Sequence, residues 1–260
     1  MAQASLAKSF KALHIPGKPL ILANVYDALS AQVVASLPQT IALASASYSI
    51  SLAGGTTDTD LDLDTHLRLL KPIADIARQT NKPLTVDLQF GHGARLAEAV
   101  RAVIALGAVG ANLEDSENET MSSPEAAIER IKTALRVAKE EGVPDFVVNA
   151  RSDSYFKGGT LEESIEKGKR YLEAGATTVY ILWPPGKLQT EEEMVRVVKE
   201  LDGRVNVSVK VADPNGEPIP GALTTSDFAR LGVARISVGP QLYFAAVKAL
   251  REMAGVIYGV

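Results

Sequence analysis

The feature that most constrains this chain is a change of periodicity repeated along its whole length. Short runs rich in β-branched and aliphatic residues recur as PLILANV, TIALAS, LTVDLQ, GANLED, FVVNAR, TTVYILW, VNVSVKV and ARISVG. Between them apolar residues return every three or four positions, the spacing of one helical face. RLAEAVRAVIALG puts Leu96, Val100, Val103 and Leu106 on one face and Gly107 at the stop. In SPEAAIERIKTALRVAKEEG, Ser123 is placed to cap, Pro124 to take the first turn and Gly142 to close. TLEESIEKGKRYLEAG carries the capping box Thr160 and Glu163. LDTHLRLLKPIADIARQT is a further helical pattern, in which Pro72 is expected to start or kink the helix proper. TEEEMVRVVKEL, TTSDFARLG and PQLYFAAVKALREMAGVI follow, the last with Tyr243, Val247, Leu250, Ala254 and Ile257 on one face.

About eight β-then-α units without a break in composition imply a parallel sheet with right-handed crossovers. The strands are apolar on both faces, as in a sheet covered by helices. Eight units favour an α/β fold closed as a (β/α)8 TIM barrel over an open doubly wound sheet. No Gly-x-Gly-x-x-Gly turn follows the first strand, so a dinucleotide-binding sheet is the weaker choice. The expectation is a single barrel domain over residues 1–260, a size such barrels reach as one domain.

Composition narrows the chemistry. Apolar residues make up 46%, enough for a sizeable core. A net charge of −4 and no Lys/Arg cluster argue against a nucleic-acid surface. There is no cysteine, which excludes disulfides, thiolate metal sites and a cysteine nucleophile. No apolar run approaches the ~18 residues that span a bilayer. The N-terminal stretch MAQASLAKSFKALH is read as a short structural helix, with Leu6, Phe10 and Leu13 at helical spacing, rather than a transit peptide. The expected location is therefore cytoplasmic, with no nucleic-acid or membrane partner.

In a barrel, chemistry gathers where strands end and loops to the following helix begin. Those ends carry Asn24 and Asp27; Ser45 and Ser47, then a loop with Asp58, Asp60, Asp62 and Asp64; Asp87 and Gln89; Asn112, Glu114 and Asp115; Asn149, Arg151 and Asp153; Trp183; Ser208 and Lys210; and Ser237. Asp87 and Glu114 lie on neighbouring strands. Two carboxylates facing one another repel unless a cation or a proton lies between them. A hard divalent ion with oxygen ligands, usually Mg²⁺, resolves that conflict. Arg151, one strand further round, is suited to a substrate carboxylate. Plainer readings stand beside these. Asp115 and Asp153 are equally placed to cap helices, and the acids from Asp58 to Asp64 to form a solvated loop and helix start. Trp183 suits a core plug or a substrate wall. His14, His66 and His92 are too scattered for a histidine metal site.

LHIPGKPLILANVYDALSA, VDLQF with the following GHG, GAVGANLEDS, VVNARSD, YLEAGATTVYI and LGVARISVG occur in an order that resembles the isocitrate lyase/phosphoenolpyruvate mutase superfamily, from about His14 to the last helix. The likeness is to its shorter phosphonomutase-like or methylisocitrate-lyase-like members. It implies a (β/α)8 barrel whose last helix is exchanged between subunits of a homodimer or homotetramer. It also implies Mg²⁺, with Mn²⁺ as a substitute, and small 2-oxo or 2-hydroxy carboxylates as substrates. Carried across, Asp87 matches the acid opening the Asp-x-Asp metal motif, Glu114 the second metal acid, and Asp58 a loop acid binding metal-bound water. Ser45 and Ala46, followed by Ser47, fall where the substrate's acidic group is held, and Arg151 matches the substrate arginine. Arg151 and Asp58 are the catalytic candidates.

The departures bear on the reaction. Gln89 stands in place of the second acid of the motif and is expected to act on the metal only through water. His92 replaces a tyrosine. The segment SENETMSSPEAA lacks the Lys, Cys and His of the lyases' gating loop and the Lys of the mutases. The resulting expectation is a Mg²⁺-dependent lyase cleaving a C–C bond through a metal-stabilised enolate, with Ser47, Tyr48 and His92 as candidate proton donors. The alternatives are a mutase or hydrolase acting on the P–C bond of a phosphonopyruvate-like substrate, and a catalytically altered barrel that only binds a carboxylate or a partner.

Overall fold

The structure, a computed structural model, describes residues 2–117, 120–210, 217 and 219–259. The strands are β1 (Leu20–Leu22), β2 (Asn24–Val25), β3 (Leu43–Ser45), β4 (Leu84–Asp87), β5 (Gly110–Glu114), β6 (Ser116–Glu117), β7 (Thr120–Met121), β8 (Val147–Ser152), β9 (Thr178–Ile181), β10 (Val205–Ser208) and β11 (Arg235–Ser237). The helices are α1 (Gln3–Ala12), α2 (Ala28–Ser36), α3 (Ser47–Ala53), α4 (Leu63–Gln79), α5 (Leu96–Ala105), α6 (Pro124–Glu140), α7 (Leu161–Glu173), α8 (Glu191–Glu200), α9 (Thr225–Leu231) and α10 (Gln241–Tyr258).

Nine of the strand segments join in the order β1-β11-β10-β9-β8-β5-β4-β3-β2, and every pair is parallel. β1 and β2 are one strand interrupted at Ala23. Its first half pairs with β11 and its second with β3, so the ring closes as the eight-stranded barrel expected from the sequence. The barrel strands are short and, apart from the exposed Ile21 of β1, largely buried on both faces, because helices cover the outside and side chains fill the inside. The seventh run, VNVSVKV, forms β10 through Ser208, and its Val211 lies outside the described residues.

Helix starts follow the capping residues. Asp62 accepts from Thr65 N, Ser123 from Ala126 N, and the reciprocal box of Thr160 and Glu163 opens α7. Pro72 neither starts nor ends its helix: α4 is under way from Leu63 and continues to Gln79. Burial of Leu70, Ile73, Ala74 and Ala77 offsets the hydrogen bond that a proline forfeits. α3 occupies the start of what reads as loop from the sequence. Its serines are weak helix formers, and no side chain caps it; burial of Ser47, Ser49, Ile50 and Ser51 is what holds it.

α1 covers the end of the barrel where strands begin. Gln3 Nε2 donates to Ile104 O and Ala108 O, at 2.8 and 2.9 Å. Phe10 is fully buried against Gly110, the first residue of β5. A Cβ on Gly110 would meet Val147 O at 2.8 Å, so only glycine admits this approach. α10, at the opposite end of the chain, buries no residue completely and exposes Leu250, Met253, Val256, Ile257 and Tyr258. Among the described residues no helix is long and apolar enough to cross a membrane.

Candidate functional site

Strand register builds the site. Asp87 pairs with Asn112, Asn112 with Asn149, and Asn149 with Thr178, so four polar residues stand side by side on β4, β5, β8 and β9. Neighbouring strands lie about 4.8 Å apart, which amide side chains can bridge. Asn112 Nδ2 donates to Asp87 Oδ1 at 2.9 Å, Asn149 Nδ2 to Asn112 Oδ1 at 2.8 Å, and Thr178 Oγ1 to Asn149 Oδ1 at 2.7 Å. Two residues further along, the same register aligns Glu114, Arg151 and Tyr180. A single acid, Asp87, at the end of a neutral ladder thus lies beneath an acid–arginine row.

Asp87 is held from the other side by α3. Its Oδ2 accepts from Ser47 N at 3.1 Å and from Ser47 Oγ at 3.0 Å, while its own N–H donates to Ser45 Oγ at 3.0 Å. Ala46 N–H is spent on Val25 O at 3.3 Å. Gln89 takes a left-handed backbone, φ 52°, and its Nε2 donates to Asp58 O at 2.7 Å. A carboxylate could not make that bond. The amide that departs from the Asp-x-Asp pattern therefore tethers the loop carrying Asp58.

The acids repel as anticipated. Burial pushes the Asp58 carboxyl above its ordinary range, and the charge of Asp87 adds to this; the Ser47 hydroxyl and Arg151 oppose it. Asp58 Oδ1 is buried and has no hydrogen-bond partner. Burial also raises Glu114 well above the usual carboxylate range, with Arg151 opposing and Asp87, Asp153 and Asp58 adding. For Arg151 burial favours the neutral form, but Glu114 and Asp153 outweigh it and hold the guanidinium charged.

Arg151 is firmly placed. Nη1 donates to Glu114 Oε1 at 2.5 Å, and Nε and Nη2 donate to the two oxygens of Asp153 at 2.6 and 3.1 Å. Three of its five N–H groups are thereby used, leaving two for a ligand. Asp153 and Asp115 cap no helix, contrary to the plainer reading. Asp115 is buried and accepts from Asp153 N at 2.7 Å, Tyr171 OH at 2.8 Å, Ser152 Oγ at 3.3 Å and Lys167 Nζ at 3.3 Å. It fixes the segment on which Asp153 holds Arg151. These partners come from β8 and α7, far along the chain, so local cap patterns could not reveal the role.

A cavity of about 730 Å³ opens at the strand ends. Ser45, Ala46, Ser47, Asp58, Asp87 and Arg151 all line it. Glu114 and Gln89 face a smaller adjoining cavity of about 150 Å³, which shares Asp58, Arg151 and Phe156 with the first. Trp183 lines the large cavity while being nearly buried, so it serves as both wall and plug. Tyr48 also lines it. His92 lines neither cavity; its Nε2 lies 3.1 Å from Nδ1 of the buried His66. The acids at Asp60, Asp62 and Asp64 behave as the solvated loop and helix start expected of them. The segment after Asp115 forms the hairpin β6–β7, with Asn118 and Glu119 outside the described residues.

Among the described residues, no group of three or more His, Asp or Glu side chains is arranged to hold a metal ion. Asp87 is engaged by Ser47 and Asn112, and Glu114 by Arg151. The donor chemistry still suits a hard cation. Mutually repelling carboxyls and one orphaned buried oxygen would all be relieved by positive charge. Thr85, Tyr180, Asn206 and Arg235 also line the large cavity and escaped the strand-end reading. Arg235 stands at the beginning of β11, and the signal for it was a lone charge inside the apolar run ARISVG.

Comparison with known proteins agrees with this architecture. A model of the phosphoenolpyruvate phosphomutase family matches residues 10–258. The chain is 28% identical over 202 residues to phosphonopyruvate hydrolase of Variovorax sp. strain Pal2, covering 73% of this chain and 65% of that protein. It is 30% identical over 126 residues to 2,3-dimethylmalate lyase of Eubacterium barkeri, covering 45% and 41%. A crystal structure of a candidate phosphonomutase from Burkholderia cenocepacia J2315 superposes with a TM-score of 0.84 at 34% identity, covering all of both chains.

Proposed function

Because the chain belongs to the phosphoenolpyruvate phosphomutase family, within a superfamily of mutases, lyases and hydrolases, we propose that it is a Mg²⁺-dependent carbon–carbon lyase acting on a small 2-oxo or 2-hydroxy carboxylate. The observation that carries this reading is the alignment of Asp87, Glu114 and Arg151 on adjacent strands around one end of the barrel. Acids able to hold a cation and an arginine able to hold a carboxylate suit a substrate whose negative charge grows beside its carboxylate as a bond breaks.

Asp87 and Glu114 would hold Mg²⁺, or Mn²⁺ in its place, with Asp58 and Gln89 acting through water. Bound there, the ion supplies Lewis-acid stabilisation of an enolate oxygen. Arg151 offers its two remaining N–H groups to the substrate carboxylate, and Asp153 fixes the plane of its guanidinium. The Ser47 hydroxyl and the Tyr48 phenol line the cavity and are the candidates for carrying the proton to the product carbanion. Trp183, Leu182 and Phe156 give that end of the cavity apolar walls. The protein works as one barrel domain over residues 1–260, in the cytoplasm, as a homodimer or homotetramer whose subunits exchange α10.

The test is calorimetry of oxalate, an enolate mimic, with and without Mg²⁺, on the wild type and on Asp87→Ala. Mg²⁺-dependent oxalate binding that disappears in Asp87→Ala is expected. Absence of any Mg²⁺-dependent binding to the wild type would leave only a barrel that binds a carboxylate or a partner without catalysis, a reading favoured by Asp87 and Glu114 already having partners. The likeness to phosphonopyruvate hydrolase supports a second enzymatic reading, P–C chemistry. NMR on oxaloacetate, substituted malates and phosphonopyruvate separates the two: turnover of phosphonopyruvate alone reverses the order.

A further inference from the structure

Arg235 is the first residue of β11, in register with Leu20 of β1 and Asn206 of β10. Neither neighbour is an acid. Arg235 is 3% exposed and lines the large cavity from the beginning of its strand. Its Nε and Nη1 are buried without a hydrogen-bond partner. Asp58 and Trp183 aside, two more residues lining this cavity carry a buried atom without a partner: Asn206, by Oδ1, on the adjacent strand and Thr85, by Oγ1, on β4.

A buried guanidinium with unused donors is among the most costly groups a barrel interior can hold. An arginine kept for structure would meet an acid from a neighbouring strand, as Arg151 meets Glu114. Leucine or methionine would fill this position without a charge to bury. Burial lowers the Arg235 pKa to about 10, with the charge of Asp87 opposing, so the group is still cationic at neutral pH. Asp87 acts on it only through space and no acid hydrogen-bonds it, while the cavity that Arg235 lines also reaches Asp87 and Arg151 at the strand ends.

We propose that Arg235, with Thr85 and Asn206, forms a second anion-binding position at the floor of the cavity, which takes the far carboxylate of an elongated diacid. The guanidinium supplies charge-assisted donors, Thr85 a hydroxyl donor, and Asn206 Oδ1 an acceptor for a hydroxyl or a bridging water. The near end of the diacid sits at Arg151 and the acidic row, and this part rests on the reading given under Proposed function. The floor then selects for a second acidic group, while the strand ends handle the first.

The experiment measures binding of malonate, succinate and glutarate against propionate, butyrate and valerate. It uses the wild type, Arg235→Met and Arg235→Lys, with oxalate plus Mg²⁺ as a probe of the strand ends alone. At least one diacid is expected to bind the wild type more tightly than the monoacid of equal length. Arg235→Met should weaken that diacid about ten- to hundredfold, the worth of a charge-assisted pair, and leave oxalate within about threefold. Arg235→Lys should recover part of the loss, and it stands in if the methionine variant does not fold. Equal diacid and monoacid binding by the wild type overturns the proposal. So does diacid binding unchanged in the variants, as when the floor holds only water. So does an equal loss of oxalate and diacid, which would assign Arg235 to the electrostatics of the upper acids. Failure of oxalate to bind, with the diacid preference intact, would sink the metal-site reading and spare the floor.

Discussion

Asp115 gives the sharpest test of how this barrel holds its arginine. In Asp115→Asn one oxygen survives to accept from Asp153 N, now 2.7 Å away. The other becomes an NH₂ facing three donors: Tyr171 OH at 2.8 Å, Ser152 Oγ at 3.3 Å and Lys167 Nζ at 3.3 Å. The Lys167 ammonium, with its side chain 18% exposed, keeps only Ser154 Oγ at 2.5 Å. Removing one partner of a buried ion pair costs about 3–5 kcal/mol, and the partial exposure of Lys167 places this case near the lower end. Unfolding entropy is about 2 cal/mol/K per residue, so a chain of this length loses roughly 5–6 °C in Tm for about 3 kcal/mol. Scanning calorimetry reads it directly. Adding Lys167→Met removes the stranded charge and should restore at least half of the loss, a coupling seen in a double-mutant cycle. Oxalate affinity should fall as well, because Asp153 and through it Arg151 lose their anchor. A Tm within 1 °C of the wild type, or a double variant as unstable as the sum of the singles, would refute the reasoning.

Two further outcomes follow from the structure. His66 is fully buried and its pKa is lowered to about 4, chiefly by burial and then by His92, with Asp87 opposing. The unfolded chain takes up a proton below about 6.5 while the folded chain does not. Stability is therefore complete above that pH and is lost as pH falls towards 4, by about 2 kcal/mol at pH 5; in urea titrations at pH 7 and 5, His66→Asn should remove that part of the loss, and an unchanged pH dependence would contradict it. The exposed apolar face of α10, with Val256 76% and Ile257 73% accessible, is expected to be covered by a second copy. Light scattering at micromolar concentration should give a dimer or tetramer, with Ile257→Asp shifting it towards monomer, and a monomeric wild type would sink the exchanged-helix reading.

What the sequence determined by itself is the part governed by local rules. Alternating periodicity specified eight strands and their helices, because period-two and period-3.6 patterns exclude one another over a few residues. Asp62, Ser123 and Thr160 announced their helix starts because a cap bonds only three residues ahead. Strand ends pointed to Asp87, Glu114 and Arg151 because a parallel barrel sends every strand out at the same face. The pairing of those residues was decided in three dimensions. Register alone put Glu114 beside Arg151, 37 positions apart in the chain, and tied Asp87 to Asn112 and Asn149. Asp115 looked like a cap and became the keystone of Arg151, since its partners Lys167 and Tyr171 come from a helix some fifty residues on. Gln89 stood out in the sequence as a departure from the metal motif, and the fold gives it a further task there, securing the Asp58 loop by a donor its acidic counterpart lacks. Arg235 was legible only as a charge in an apolar run. Tertiary structure made it the unpaired floor of a cavity, because whether a buried charge finds a partner depends on strands that the local sequence does not mention.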